Sequence, residues 1–286
     1  MAELAFHSLK QARRHVPGLL SEGPLAVIFD EDGVETHSTV QHHLSLGFRR
    51  VLLFSQPETL RATLPSGAVV IESPALSAKD IADCLTRIAR SAKRGLWIYW
   101  GFNAEYLYIP FCEARTIGDC LDFHASERRE AMLAPVIDLY ASDLKSAPNA
   151  VDLGSAHFDG AGYYALSRGG GKERQLDLFG GLRWRYEEWV PQEGRRIDRI
   201  ALFRANPART LREDFTFTEE ELNTYACPWH HNVIAAIPSF RAAKALLHNP
   251  GSREALDDLM WERSVPFLWS SQQLMDHGFM EPGQWV

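Results

Sequence analysis

Asn103 and Glu105 stand one residue apart, at the polar end of the apolar run Trp97-Ile98-Tyr99-Trp100-Gly101-Phe102. On an extended segment, side chains at i and i+2 point to the same side. Two oxygen-bearing groups placed that way would share a divalent cation or a sugar hydroxyl, because hard cations prefer oxygen ligands. A strand cap with a solvated turn gives the same pattern. Asp30 and Glu31 follow a second apolar run, Leu25-Ala26-Val27-Ile28-Phe29. Carboxylates at the carboxyl end of a strand fit nucleotide contacts in an open α/β sheet, or simply cap the loop. Arg183 and Arg185 flank Trp184, where they would brace phosphates or pack at the edge of the core. Trp184 and Trp229 carry rings able to stack on a sugar, and the same rings fill cores.

These groups need a scaffold, and the apolar spacing supplies one. Residues 3–20 read as a short amphipathic helix. The runs at 25–29, 50–54, 69–72 and 97–102 read as strands, with helices expected over 35–46, ending at Gly47, and over 78–93. Ile81, Cys84, Leu85 and Ile88 carry the i, i+3, i+4, i+7 pattern of the second helix. Alternating strands and helices predict a mostly parallel sheet covered on both faces. Beyond it, 116–144 reads as mostly helical, with a charged outer face at Glu127-Arg128-Arg129-Glu130. Residues 145–172 read as a polar, Gly-rich loop and 199–204 as a late strand. Thr218-Glu219-Glu220-Glu221 has the form of a capping box before a helix, and Pro238 to His248 reads as another helix.

The chain has 286 residues, enough for one large α/β domain or two small ones. Its net charge of −7 argues against non-specific nucleic-acid binding. Cys84, Cys112, Cys120 and Cys227 form no CxxC pair and no zinc spacing, as expected of reduced thiols in a cytoplasmic protein. No apolar run reaches the roughly 18 residues of a membrane-spanning helix. Lys10, Arg13, Arg14 and His15 precede no apolar core of a secretory signal. They leave room for peripheral contact with an anionic membrane.

Two resemblances are visible. Phe29-Asp30-Glu31-Asp32-Gly33 looks like the first motif of haloacid-dehalogenase-type phosphatases, with Ser55 as a second motif. That would make Asp30 a nucleophile and Asp32 a proton donor beside Mg²⁺. The spacing from Asp32 to Ser55 is short for that family, and no Asp-Asp closes the run at 97–102.

The wider resemblance, over roughly residues 24–245, is to bacterial family-2-like glycosyltransferases. Four stretches carry it: Asp30-Glu31; His42 through Leu53, with Leu46-Gly47; Asn103-Ala104-Glu105-Tyr106-Leu107 in place of Asp-x-Asp-Glu-Phe; and Phe158 to Tyr163 together with His230-His231-Asn232, Ser239, Phe240 and Lys244. The resemblance implies a GT-A-like (Rossmann-like) α/β fold, a mostly parallel sheet flanked by helices with a helical C-terminal extension. The implied division is an N-terminal helix at 1–22, a nucleotide-sugar and acceptor domain at 23–215, and the extension at 216–286 packed on it. It further implies transfer of a sugar from a nucleotide-sugar donor to a saccharide or lipid-linked acceptor. Mn²⁺ or Mg²⁺ would be held by Asn103, Glu105 and His231, with Asp30, Glu31, Arg183 and Trp229 on the donor. Asp159, on the Phe-Asp-Gly loop, would be the carboxylate that deprotonates the acceptor; Asp-Gly is also a strong turn former. With Asn103 in place of an aspartate, one formal charge is missing at the expected metal. A catalytically silent relative is the third expectation.

Overall fold

A computed structural model of the chain describes residues 5–59, 63–167, 176–223 and 234–282. In chain order it begins with β1 (Ala5–Phe6), α1 (Leu9–His15), β2 (Leu25–Phe29), α2 (Thr36–Ser45), β3 (Arg50–Ser55), β4 (Ala68–Glu72), α3 (Ala78–Ser91) and β5 (Trp97–Phe102). Strands β2, β3, β4 and β5 are parallel, with β2 between β3 and β5, and β1 adds in parallel to the outer edge of β4. Their apolar runs are buried on both faces, as a helix-covered parallel sheet requires. Along β2 the period-2 rule sorts the side chains. Leu25, Val27 and Phe29 join the core beneath α1 and α3, while Ala26 and Ile28 join the core beneath α2. Helix α3 starts at a complete capping box between Ser77 and Asp80.

The second half turns the sheet mixed. It comprises α4 (Ile117–Ser126), β6 (Ala131–Ala141), β7 (Ala156–Asp159), the hairpin β8 (Tyr164–Ser167) and β9 (Leu176–Phe179), α5 (Leu182–Arg185) and β10 (Asp198–Arg204). Then come β11 (Ile237–Ser239), α6 (Arg241–His248), α7 (Pro250–Ala255), β12 (Ser264–Pro266) and α8 (Ser271–Asp276). The main sheet runs β1-β4-β3-β2-β5-β10-β6-β7-β12, with β11 paired to β6. Strand β10 lies between β5 and β6, antiparallel to both.

Several expectations change. The N-terminal helix expected over 1–22 is, among the described residues, the short strand β1 followed by α1 alone. The loop expected over 145–172 contains β7 and β8. In place of a capped helix after Thr218, Glu220–Leu222 forms a single 3-10 turn with no side-chain cap. The stretch 116–144 is a helix followed by a strand. Arg128, with φ of 57°, breaks the chain after α4, and the apolar run of β6 is buried almost throughout. A continuous apolar run has no period with which to tell a buried strand from a buried helix. Pro238 lies in β11, so that helix starts only at Arg241. The segment after 216 contributes β11 and β12 as well as helices, so it is not purely helical. Its aromatic groups, Phe267 and Phe279, pack with Phe158, Tyr106 and Tyr108 in one cluster.

Trp100 marks where the two halves meet. It is fully buried in β5, and its indole N–H donates to the carbonyl of Ile200 in β10 at 2.8 Å. Trp100→Ala is expected to remove about 3–5 kcal/mol of stability. Urea denaturation would show it as a lower midpoint at similar slope; an unchanged midpoint would mean that this junction adds little.

Candidate functional site

The polar groups gather where the carboxyl ends of β2 and β5 diverge, since β2 connects outward to β3 and β4 while β5 lies on its other side. Open α/β sheets bind ligands at such a switch point. The first group there is committed to structure. Asp30 is buried; its Oδ1 accepts from Gly33 N at 2.8 Å and Thr36 Oγ1 at 3.0 Å, and its Oδ2 accepts from Ser55 Oγ at 2.8 Å. It clamps the 31–35 loop to α2 and β3. Gly33 adopts φ of +77°, and a Cβ there would meet Thr59 O at 2.4 Å.

Asn103 and Glu105 do not share a side. The strand ends at Phe102, and Ala104 takes the left-handed conformation with φ of 59°, so the extended geometry behind the i, i+2 expectation is lost. Asn103 Oδ1 accepts from Glu31 N at 2.9 Å, and its Nδ2 donates to Asp32 Oδ1 at 2.5 Å and Val34 O at 2.8 Å. Glu105 faces the other way. Arg199 in β10 donates to Oε2 at 2.6 Å and to Oε1 at 3.3 Å, Phe102 N donates to Oε2 at 2.9 Å, and Ser239 Oγ donates to Oε1 at 3.1 Å. Both residues are fully buried. Burial pushes the Glu105 carboxyl up, but the Arg199 charge and its hydrogen bonds outweigh that and hold it below the usual value of 4.5.

This donor set does not fit a divalent cation. A metal here would need oxygens already taken by Arg199, Ser239 and two backbone amides, beside a guanidinium of like charge. Among the described residues, no cluster of three His, Cys, Asp or Glu side chains is arranged to hold a metal. His231 and Trp229, assigned to metal and donor, lie outside the described residues.

The charges that line the open cleft are a different set. A cleft of about 680 Å³ is lined by Glu31, Asp32, Arg183, Trp189, Arg241 and Lys244 among others. Arg183, Gly194 and Arg241 also line a smaller cavity of about 170 Å³ that reaches Phe102, Glu105 and Arg199. Arg241 lies 3.8 Å from the centroid of the Phe102 ring and makes a two-pronged pair with Glu31, at 2.8 and 2.7 Å. Lys244 Nζ stands 2.9 Å from Asp32 Oδ2. Part-burial raises the Asp32 carboxyl, but Lys244 and Asn103 more than offset it and keep it below the ordinary carboxylate range. Arg183 Nε donates to Asp138 Oδ1 at 3.2 Å, and its Nη1 donates to Arg196 O at 2.8 Å.

Asp159 does not reach this cleft. It has 0% exposure, accepts from Tyr140 OH at 2.7 Å and Trp261 Nε1 at 2.8 Å, and pairs with Arg185 Nε at 2.9 Å. A general base must offer an oxygen to its substrate; this carboxylate is a buried clamp between β7, β6 and α5. Trp184 is exposed, as a stacking platform would be.

Sequence reasoning missed Arg199 and Arg241. An arginine inside the apolar strand Arg199-Ile200-Ala201-Leu202-Phe203 is the one available signal, because a buried guanidinium demands a carboxylate partner. No protein-family model and no curated protein matches the sequence.

Glu105→Ala strands a buried arginine, so it is expected to cost about 3–5 kcal/mol. The double change Glu105→Leu with Arg199→Met should recover much of that loss in urea denaturation. Because the folded carboxyl titrates below its unfolded value of 4.5, its contribution is full above that pH and fades as pH falls through the folded value. The gap between wild type and Glu105→Gln should therefore narrow in acid. A gap that widens there would contradict the pairing.

Proposed function

We propose that the chain is a glycosyltransferase, moving a sugar from a nucleotide-sugar donor to a saccharide or lipid-linked acceptor in the cleft at the carboxyl ends of β2 and β5. The observation that carries this reading is the cleft itself: about 680 Å³ between the loop that follows β2 and helices α6 and α7, rimmed by Arg183, Arg241 and Lys244. A nucleotide-sugar leaves as a diphosphate, and cations placed beside the developing charge lower the barrier. Arginine forks match phosphate oxygens in pairs. Glu31 and Asp32 are the carboxylates lining the cleft, in position to accept a proton from an acceptor hydroxyl. The parallel half of the sheet gives further support to a GT-A-like plan.

The alternative of phosphomonoester hydrolysis from Asp30 needs a carboxylate oxygen aimed at phosphorus. Both oxygens of Asp30 are held by Gly33, Thr36 and Ser55, which favours the cleft-based reading. A silent relative would bind nucleotide and transfer nothing. No helix among the described residues is long and apolar enough to cross a membrane. Contact with the inner face of a membrane from the cytoplasm, if the acceptor is lipid-linked, would thus be peripheral.

A thermal-shift screen of UDP- and GDP-sugars is the direct test. A true donor at about 100 times its dissociation constant adds about 2.7 kcal/mol of stability, and Lys244→Gln should weaken that shift. Release of nucleoside diphosphate, dependent on an added acceptor, separates a transferase from a silent binder. A melting temperature unmoved by every nucleotide-sugar would end the reading.

A further inference from the structure

We propose that Arg241 takes the place a divalent cation would hold on the donor diphosphate, and that the Glu31 carboxylate occupies that place until the diphosphate arrives. The proposal rests on the transferase reading above and names the residues that neutralise the phosphate.

Three observations lead to it. The first concerns Glu105, the acid expected to hold the metal. Its charge is already balanced inside the protein by Arg199, with side-chain exposures of 1% and 9%. It has no charge left to offer a second cation. The second concerns Arg241. Its pair with Glu31 is half open to solvent, with exposures of 40% and 37%, so solvent and other anions can compete for it. A carboxylate and a phosphate present the same pair of oxygens to a guanidinium fork, so a diphosphate can replace Glu31 without moving Arg241 off the Phe102 ring. That ring holds the guanidinium from one side at 3.8 Å, and Arg199 stacks on the same ring at 5.7 Å. Arg241 is also the first residue of α6; its own N–H donates to Ser239 Oγ at 3.2 Å, and the N-cap residue, Phe240, offers no side-chain acceptor to the N–H groups that follow. The positive end of that helix therefore lies beside the same anion place.

The third observation is the charge of the cleft. Among the described residues, Arg241, Lys244 and Arg253 line it against two carboxylates, Glu31 and Asp32, while the Arg183 charge is already balanced by the buried Asp138. The remaining excess of positive charge draws an anion into the cleft with no metal between them. When the diphosphate displaces Glu31, that carboxylate is left free at the edge of the cleft beside the bound donor.

Isothermal titration of the full chain with UDP, GDP and inorganic pyrophosphate, in EDTA and again in Mn²⁺, tests this. The expected result is binding in EDTA, with affinity changed by no more than about twofold by Mn²⁺. Arg241→Gln should lose about tenfold or more. Glu31→Gln, which removes the internal competitor, should bind more tightly than wild type. If Arg241→Gln melts well below wild type, Glu31→Gln alone decides, because its expected gain in affinity cannot come from damage to the fold. Binding that requires Mn²⁺ would overturn the proposal and leave the transferase reading standing. Weaker binding by Glu31→Gln would overturn it too, by making Glu31 a ligand contact. Metal-free binding of pyrophosphate without either nucleotide would uphold the diphosphate place on Arg241 and overturn the transferase reading. No binding of any probe in either buffer would overturn both.

Discussion

A single buried ion pair, Arg199 with Glu105, holds the two halves of this protein in register. Arg199 comes from the one strand that runs against its neighbours between β5 and β6, and Glu105 from the turn that closes the parallel half. Ser239 of β11 binds the same carboxylate, so three separate stretches of chain meet on two oxygens. Buried pairs add little net stability, because desolvation consumes most of the attraction. Their force lies in what they forbid. A shift of β10 or β11 against β5 would part Arg199 or Ser239 from the Glu105 carboxylate and leave a buried charge short of partners.

The same pair divides the charges of the crevice into two kinds. Inward, Glu105 and Arg199 neutralise each other, Asp30 closes a loop, and Asp159 ties Arg185 to Tyr140 and Trp261. Outward, Arg241 with Glu31 is a pair that solvent reaches on both sides, and Lys244, itself buried, meets the exposed Asp32 at the wall of the cleft. Only the second kind can exchange a partner for a ligand at modest cost. Type and spacing along the chain did not separate the two kinds; the exposure of the carboxylate in each pair does. Phe102 sits at the boundary, with one guanidinium from each set stacked on it.

The parallel half was legible because its signals are local. Apolar runs at 25–29, 50–54, 69–72 and 97–102 became β2 to β5, and the spacing Ile81, Cys84, Leu85, Ile88 became the buried stripe of α3. Signals failed where an apolar run carried no period, as in β6, and where a proline suggested a helix start but entered the short strand β11 instead. The positions of Asp30, Glu31 and Asp32 at the switch point followed from the strand before them. Their separate fates did not.

By itself, then, the sequence determined that an α/β sheet forms, which strands make its parallel half, and that acids cluster at its carboxyl edge. Those outcomes depend on neighbours a few residues apart. The tertiary structure alone decided what each acid does. Ala104, in a left-handed turn, swings Asn103 and Glu105 to opposite partners, and Arg199 reaches Glu105 across 94 residues of chain. Arg241 likewise meets Glu31 from 210 residues away. A charge is assigned to the core or to the cleft by the groups packed around it, and for Glu105 and Glu31 the arginine that decides is distant in the chain.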